Sequence, residues 1–117
     1  MVENTLVLVV DDEEVVREGC RRVLTSRGYE MATAENGQQA LEILAAQKID
    51  IILLDLKMPV MGGEEVLLKT RDIYPEIPVV VITGHGTVDT AVECMKKGAY
   101  DFITKPSEPE FLIASIT

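Results

Sequence analysis

The sequence predicts an α/β fold, a five-stranded parallel sheet wound by helices on both faces. Three observations predict it. Short apolar runs alternate with helical apolar patterns along the chain. Three of those runs are continuously aliphatic, as strands buried on both faces are. The other two are mixed in composition, as edge strands often are.

Taken in order, Leu6–Val10 reads as the first strand. A helix over 14–27 follows, with Val16, Cys20, Val23 and Leu24 on one face and Gly28 as its stop. Tyr29–Thr33 is the second strand, and Gly37–Gln47 a helix that turns Ala40, Leu41 and Leu44 inward. Ile51–Leu54 is the third strand, followed by a helix over 64–73 carrying Val66, Leu67 and Ile73. Val79–Ile82 is the fourth strand. The next helix, 87–97, is expected to bury Val88, Ala91, Val92 and Met95 and to stop at Gly98. Tyr100–Ile103 is the fifth strand, and a last helix begins near Glu108. Right-handed crossovers, with the second and fifth strands at the edges, give the flavodoxin-like order 2-1-3-4-5. That order sets the first and third strands side by side at the switch point, where such sheets bind ligands beyond the carboxyl ends of their strands. It also places Cys20 and Cys94 on opposite faces, too far apart for a disulfide.

A chain of 117 residues, 47% hydrophobic, suits one packed domain, 1–117. Its net charge of −9 argues against direct nucleic-acid binding, which needs Lys and Arg against phosphates. The first basic residue is Arg17, so a signal peptide's cationic start is missing, and no apolar run approaches the ~20 residues that span a bilayer. The expected location is the cytoplasm, without membrane contact. Neither cysteine has metal-binding spacing, and both read as reduced and buried.

The chemistry gathers at the strand ends. Asp11 and Asp12 follow the first strand, Asp55 the third, Thr83 the fourth, and Lys105, just before Pro106, the fifth. Each has an ordinary explanation by itself. Asp11 or Asp12 could cap the first helix, Asp55 or Thr83 could be a turn residue, and Lys105 a solvated lysine. Together they converge on one rim. Two carboxylates ~4 Å apart repel by about 4 kcal/mol at an effective dielectric of about 20. Three of them must protonate or bind a cation. Mg²⁺ prefers carboxylate oxygens and keeps positions open for a phosphoryl oxygen. In this arrangement Asp12 and Asp55 hold Mg²⁺, Asp11 helps through water, and Asp55 attacks phosphorus to form an aspartyl-phosphate. Thr83 and Lys105 then bind the phosphoryl oxygens.

The stretches VLVVDDE (7–13), ILLDLKMPVMGGEEVL (52–67), VVVITGHG (79–86) and KKGAYDFITKP (96–106) resemble, over essentially the whole chain, the receiver domains of bacterial two-component response regulators. The segment from Thr83 to Pro106 is most similar to receivers attached to transcription regulators of the NtrC and FixJ kinds. The resemblance implies that Asp55 accepts its phosphoryl group from a sensor histidine kinase. It implies Mg²⁺ bound by Asp11, Asp12, Asp55 and the Lys57 backbone carbonyl. It also implies a switch in which Thr83 moves and Phe102 turns inward, and a cis bond between Lys105 and Pro106. The face formed by the fourth helix, fifth strand and last helix would then change and control an output, transcription, through a covalently linked DNA-binding domain or a protein partner. Homodimerisation on phosphorylation belongs to the same expectation.

Ser107 departs from the common pattern, standing where an aromatic residue often follows Lys-Pro; Lys57 and His85 occupy flanking positions that vary in the family. A cationic Lys57 beside the acceptor is expected to alter attack by water on the aspartyl-phosphate, and phosphoryl lifetimes in Lys57→Asn would test it. Two other readings compete. An unphosphorylated interaction module of the same fold is disfavoured by the intact Asp11, Asp12, Asp55, Thr83 and Lys105. A Mg²⁺-dependent phosphatase is disfavoured by Lys57, where a second Asp is usual, and by the lack of length for a cap. No phosphate-binding GxxxxGK[ST] loop exists. The chain reaches Thr117 about ten residues into its last helix without a stop signal, so a cut inside that helix, with an output domain beyond it, is expected.

Overall fold

The computed structural model describes residues 5–56, 62–84 and 88–104, with the backbone alone at Thr83, Val88 and Thr104. Within them the order is β1 (Leu6–Val10), α1 (Glu14–Ser26), β2 (Glu30–Ala34), α2 (Gly37–Ala46), β3 (Ile51–Asp55), α3 (Gly63–Ile73), β4 (Val79–Thr83), α4 (Val88–Lys96) and β5 (Asp101–Thr104). The strands form one parallel sheet in the order β2-β1-β3-β4-β5, as expected.

Alternation along each strand divides the core in two. Leu8, Val10, Ile52, Leu54, Val79 and Val81 face one side and pack with Ala40 and Leu44 of α2, Val66 and Leu67 of α3, and Cys94 of α4. Val7, Val9, Ile51, Leu53, Val80 and Ile82 face the other, against Cys20 and Leu24 of α1. The two thiols, both free and buried, thus lie in separate cores. Apolar contact on both faces is why the central strands carry no polar residue until their carboxyl ends.

The second strand starts and ends one residue later than expected. Gly28, at φ +86°, lets its N–H reach the Thr25 carbonyl while the Tyr29 N–H reaches Leu24 at 3.0 Å. This Schellman closure takes Tyr29 into the helix stop. Gly98, at φ +101°, closes α4 the same way, with Ala99 N–H on the Cys94 carbonyl at 3.0 Å. β5 accordingly begins at Asp101, and Tyr100 is 64% exposed.

Two buried faces also differ from expectation. In α4, Val92 and Met95 are 45% and 47% exposed, Ala91 is half-buried and Cys94 is fully buried. The inward face therefore centres near Cys94, to one side of the aliphatic stripe. In α3, Ile73 is exposed, while Thr70, which falls between Val66 and Leu67 around the helix, is buried. Periodicity locates an apolar stripe, but the neighbouring element decides how much of it is covered. The final helix near Glu108 and the Lys105–Pro106 bond lie outside the described residues.

Candidate functional site

The ladder pairs Val10 with Leu54, so the next residues, Asp11 and Asp55, fall side by side where β1 and β3 end. Asp55 is the last residue of β3, rather than the first after it, and is paired with Ile82. Asp11 and Asp55 are 2% and 5% exposed, and Asp12 is exposed. One carboxylate oxygen from each of Asp11, Asp12 and Asp55 lies within 4.8 Å of the others. Thr83 likewise closes β4, its backbone paired with Thr104. Phe102 of β5 is half-buried and packs against the core on the α2–α4 side. The Thr83 side chain, and the whole of Lys57, His85, Lys105 and Ser107, lie outside the described residues.

Asp11 is held at three points. Its N–H donates to the Ala34 carbonyl at 3.1 Å, its Oδ1 accepts from the Glu13 N–H at 2.9 Å, and its own carbonyl accepts from Arg17 Nη1 at 2.6 Å. It does not cap α1: the N-cap is Glu13, which makes no side-chain cap bond. The Arg17 guanidinium also approaches Glu35 Oε1 at 3.5 Å, tying the β1–α1 turn to the β2–α2 turn. Nothing in the helical pattern of α1 marks Arg17, whose contacts come from two turns brought together only by the sheet.

Gly63 is a second residue whose role spacing did not reveal. Its N–H donates to the Leu56 carbonyl at 2.9 Å, seating the start of α3 against the end of β3. A Cβ there would overlap the Asp55 carbonyl oxygen and come within 2.6 Å of the Leu56 Cα. The Gly62-Gly63 pair, soon after Asp55 in sequence, was the available signal. Farther out, Glu64 in the first turn of α3 accepts from Lys97 Nζ at 3.1 Å and raises its pKa. Burial raises the Cys94 thiol, with the Glu64 charge adding to the effect.

Three converging carboxylates are a hard oxygen donor set, which fits Mg²⁺ or Ca²⁺ and does not fit a soft metal. Among the described residues, no helix is long and apolar enough to cross a membrane.

Residues 7–117 match the family model described as the response regulator receiver domain. A putative response regulator NtrX-like protein of Rickettsia bellii is 41% identical over 92% of this chain and 23% of its own length. The transcriptional regulatory protein FixJ of Rhizobium meliloti is 41% identical over 94% of this chain and 54% of its own. The chain thus spans about a quarter to a half of these relatives. A crystal structure of a response regulator protein from Burkholderia pseudomallei, with a phosphorylated aspartic acid, calcium ion and citrate, superposes with a TM-score of 0.90 at 32% identity. It covers 97% of this chain and 67% of that one.

Proposed function

Because the chain belongs to the response regulator receiver family, a signalling domain and not a conventional enzyme, we propose that Asp55 is its phosphoacceptor and that phosphorylation switches the domain. The observation that carries this reading is the meeting of Asp11, Asp12 and Asp55 at the β1–β3 switch point. The Burkholderia protein, with its phosphorylated aspartic acid and calcium ion, supports it by likeness.

Asp12 and Asp55, with Asp11 and the Lys57 backbone carbonyl, would hold Mg²⁺. When bound, the ion supplies positive charge against the phosphoryl oxygens and the carboxylates. A carboxylate oxygen of Asp55 attacks phosphorus on the phosphohistidine of a sensor kinase. The O–P bond forms as the N–P bond breaks, and the electron pair leaves with the imidazole nitrogen. Thr83 and Lys105 bind the phosphoryl oxygens at the ends of β4 and β5. Movement of Thr83, with inward rotation of Phe102, carries the change to the α4–β5 face. There Val92, Met95 and Tyr100 leave apolar surface exposed for an output domain, a protein partner or a second copy. The name of the FixJ relative, a transcriptional regulatory protein, supports transcription as the output, and such an output would place the domain in the cytoplasm.

The reading is tested by incubation with acetyl phosphate and Mg²⁺. The native chain gains the mass of one phosphoryl group, and Asp55→Asn gains none. An unchanged native mass, or an equal gain in Asp55→Asn, overturns it.

A further inference from the structure

We infer that Arg17 is a positioning residue for the divalent-cation site: it holds Asp11 by the main chain, so that the three carboxylates stay together with their oxygens available. This rests on the reading that Asp11, Asp12 and Asp55 bind a divalent cation.

Three carboxylates with oxygens within 4.8 Å of one another repel, and before a cation arrives that repulsion pushes the β1–α1 turn away from β3. Something must hold the turn in place. A side-chain cap at the start of α1 would do so, but its N-cap, Glu13, makes no such bond. The bonds of Asp11 to the Ala34 carbonyl and from the Glu13 N–H do part of this, and Arg17 adds a third restraint from α1. Its N–H donates to the Glu13 carbonyl at 3.2 Å, one turn into α1. Helix side chains tilt toward the N-terminus, so its guanidinium reaches back over the turn. Nη1 then donates to the Asp11 carbonyl at 2.6 Å, and Nη2 lies 3.5 Å from Glu35 Oε1.

The point of attachment matters. Arg17 grips the Asp11 carbonyl rather than its carboxylate, so it restrains the residue without occupying a metal ligand. Its side chain is only 14% exposed, whereas that of Glu35 is 62% exposed, so the inner bond should carry most of the restraint and the outer one should orient the fork. A lysine keeps the charge but lacks the planar fork whose two nitrogens make these contacts. Groups that orient metal ligands from behind typically change affinity by 10–100-fold when lost.

The test separates position from charge and from packing. Mg²⁺ affinity is measured by titration calorimetry, and stability by urea unfolding in chelator, for the native chain, Arg17→Met, Arg17→Lys and Glu35→Gln. Positioning predicts Mg²⁺ binding weakened about tenfold in both Arg17→Met and Arg17→Lys, and by a smaller factor in Glu35→Gln. Packing alone predicts lower stability in chelator with native Mg²⁺ affinity, and that result overturns the inference. Charge alone predicts tighter Mg²⁺ binding in Arg17→Met with native affinity in Arg17→Lys, and this overturns it too. If Arg17→Met does not fold, Arg17→Lys decides between the same outcomes. A native chain that binds no Mg²⁺ fails the site reading itself, before any variant is compared.

Discussion

Two strand-to-helix turns lie next to each other at the same rim and handle their polar groups differently. At the start of α2, Asn36 Oδ1 accepts from the Gln39 N–H at 2.9 Å, and Gln39 Oε1 accepts from the Glu35 N–H at 2.8 Å. The turn satisfies itself within five residues, 35–39. At the start of α1, the N-cap makes no side-chain cap bond, and two aspartates beside it turn toward a carboxylate contributed by β3. The α2 turn is arranged for stability and the α1 turn for a ligand. Asp11 Oδ1 takes one local bond, from the Glu13 N–H, but a site of like charges also needs the surrounding structure to hold it in place until a cation binds.

Changes to either turn can break or sharpen that contrast. The largest effect is expected from Asp55→Asn, which should abolish phosphoryl transfer from acetyl phosphate by mass spectrometry while leaving the fold intact. Next is Gly63→Ala, which forces a Cβ into the Asp55 and Leu56 backbone and should lower stability by about 2 kcal/mol. It should also slow phosphorylation, because the atoms that must shift are those that carry the acceptor. Urea unfolding and a phosphorylation time course check the two parts separately.

The two aspartate and asparagine turns should then respond with opposite signs. Asn36→Ala removes a cap and should cost about 1 kcal/mol while leaving Mg²⁺ affinity unchanged. Asp12→Asn relieves repulsion and should raise stability in chelator by on the order of 1 kcal/mol while weakening Mg²⁺ binding. A loss of stability in Asp12→Asn without metal would erase the distinction between the turns.

The smallest effect lies away from the rim. Burial holds the Cys94 thiol above its ordinary 9.0, and Glu64 and Glu93 add to this while Lys97 opposes it. The unfolded thiol ionises first, so stability is full below pH 9.0 and falls as pH rises toward the folded value. Lys97, raised above 10.5 by its hydrogen bond to Glu64, contributes in the same direction at higher pH. Cys94→Ala should therefore flatten the decline between pH 9.0 and 10.5, as measured by urea unfolding across that range.

Much of this was legible in the chain. The continuous runs of β1, β3 and β4 identified the central strands, because burial on both faces excludes polar residues. The same exclusion made Asp11 and Asp55 conspicuous at the strand ends. Less legible were the strand starts, because Tyr29 could belong to a strand or to a Schellman closure with equal local sense. The face of α4 is hard to read from sequence for a related reason. An aliphatic stripe through Val92 and Met95 looks like core unless the position of the neighbouring sheet is known, and here that position leaves the stripe exposed.

The amino-acid order by itself determined the alternation of elements, the strand order and the residues delivered to the rim. These follow from apolar period, crossover handedness and turn chemistry, which act over a few residues or apply to every sheet. Only the tertiary structure decided that three carboxylate oxygens meet within 4.8 Å, that Gly63 leaves no room for a Cβ, and that Arg17 reaches the Asp11 carbonyl. Each of those facts depends on two or more elements arriving at one place, and the distance between separate segments is written in no local pattern.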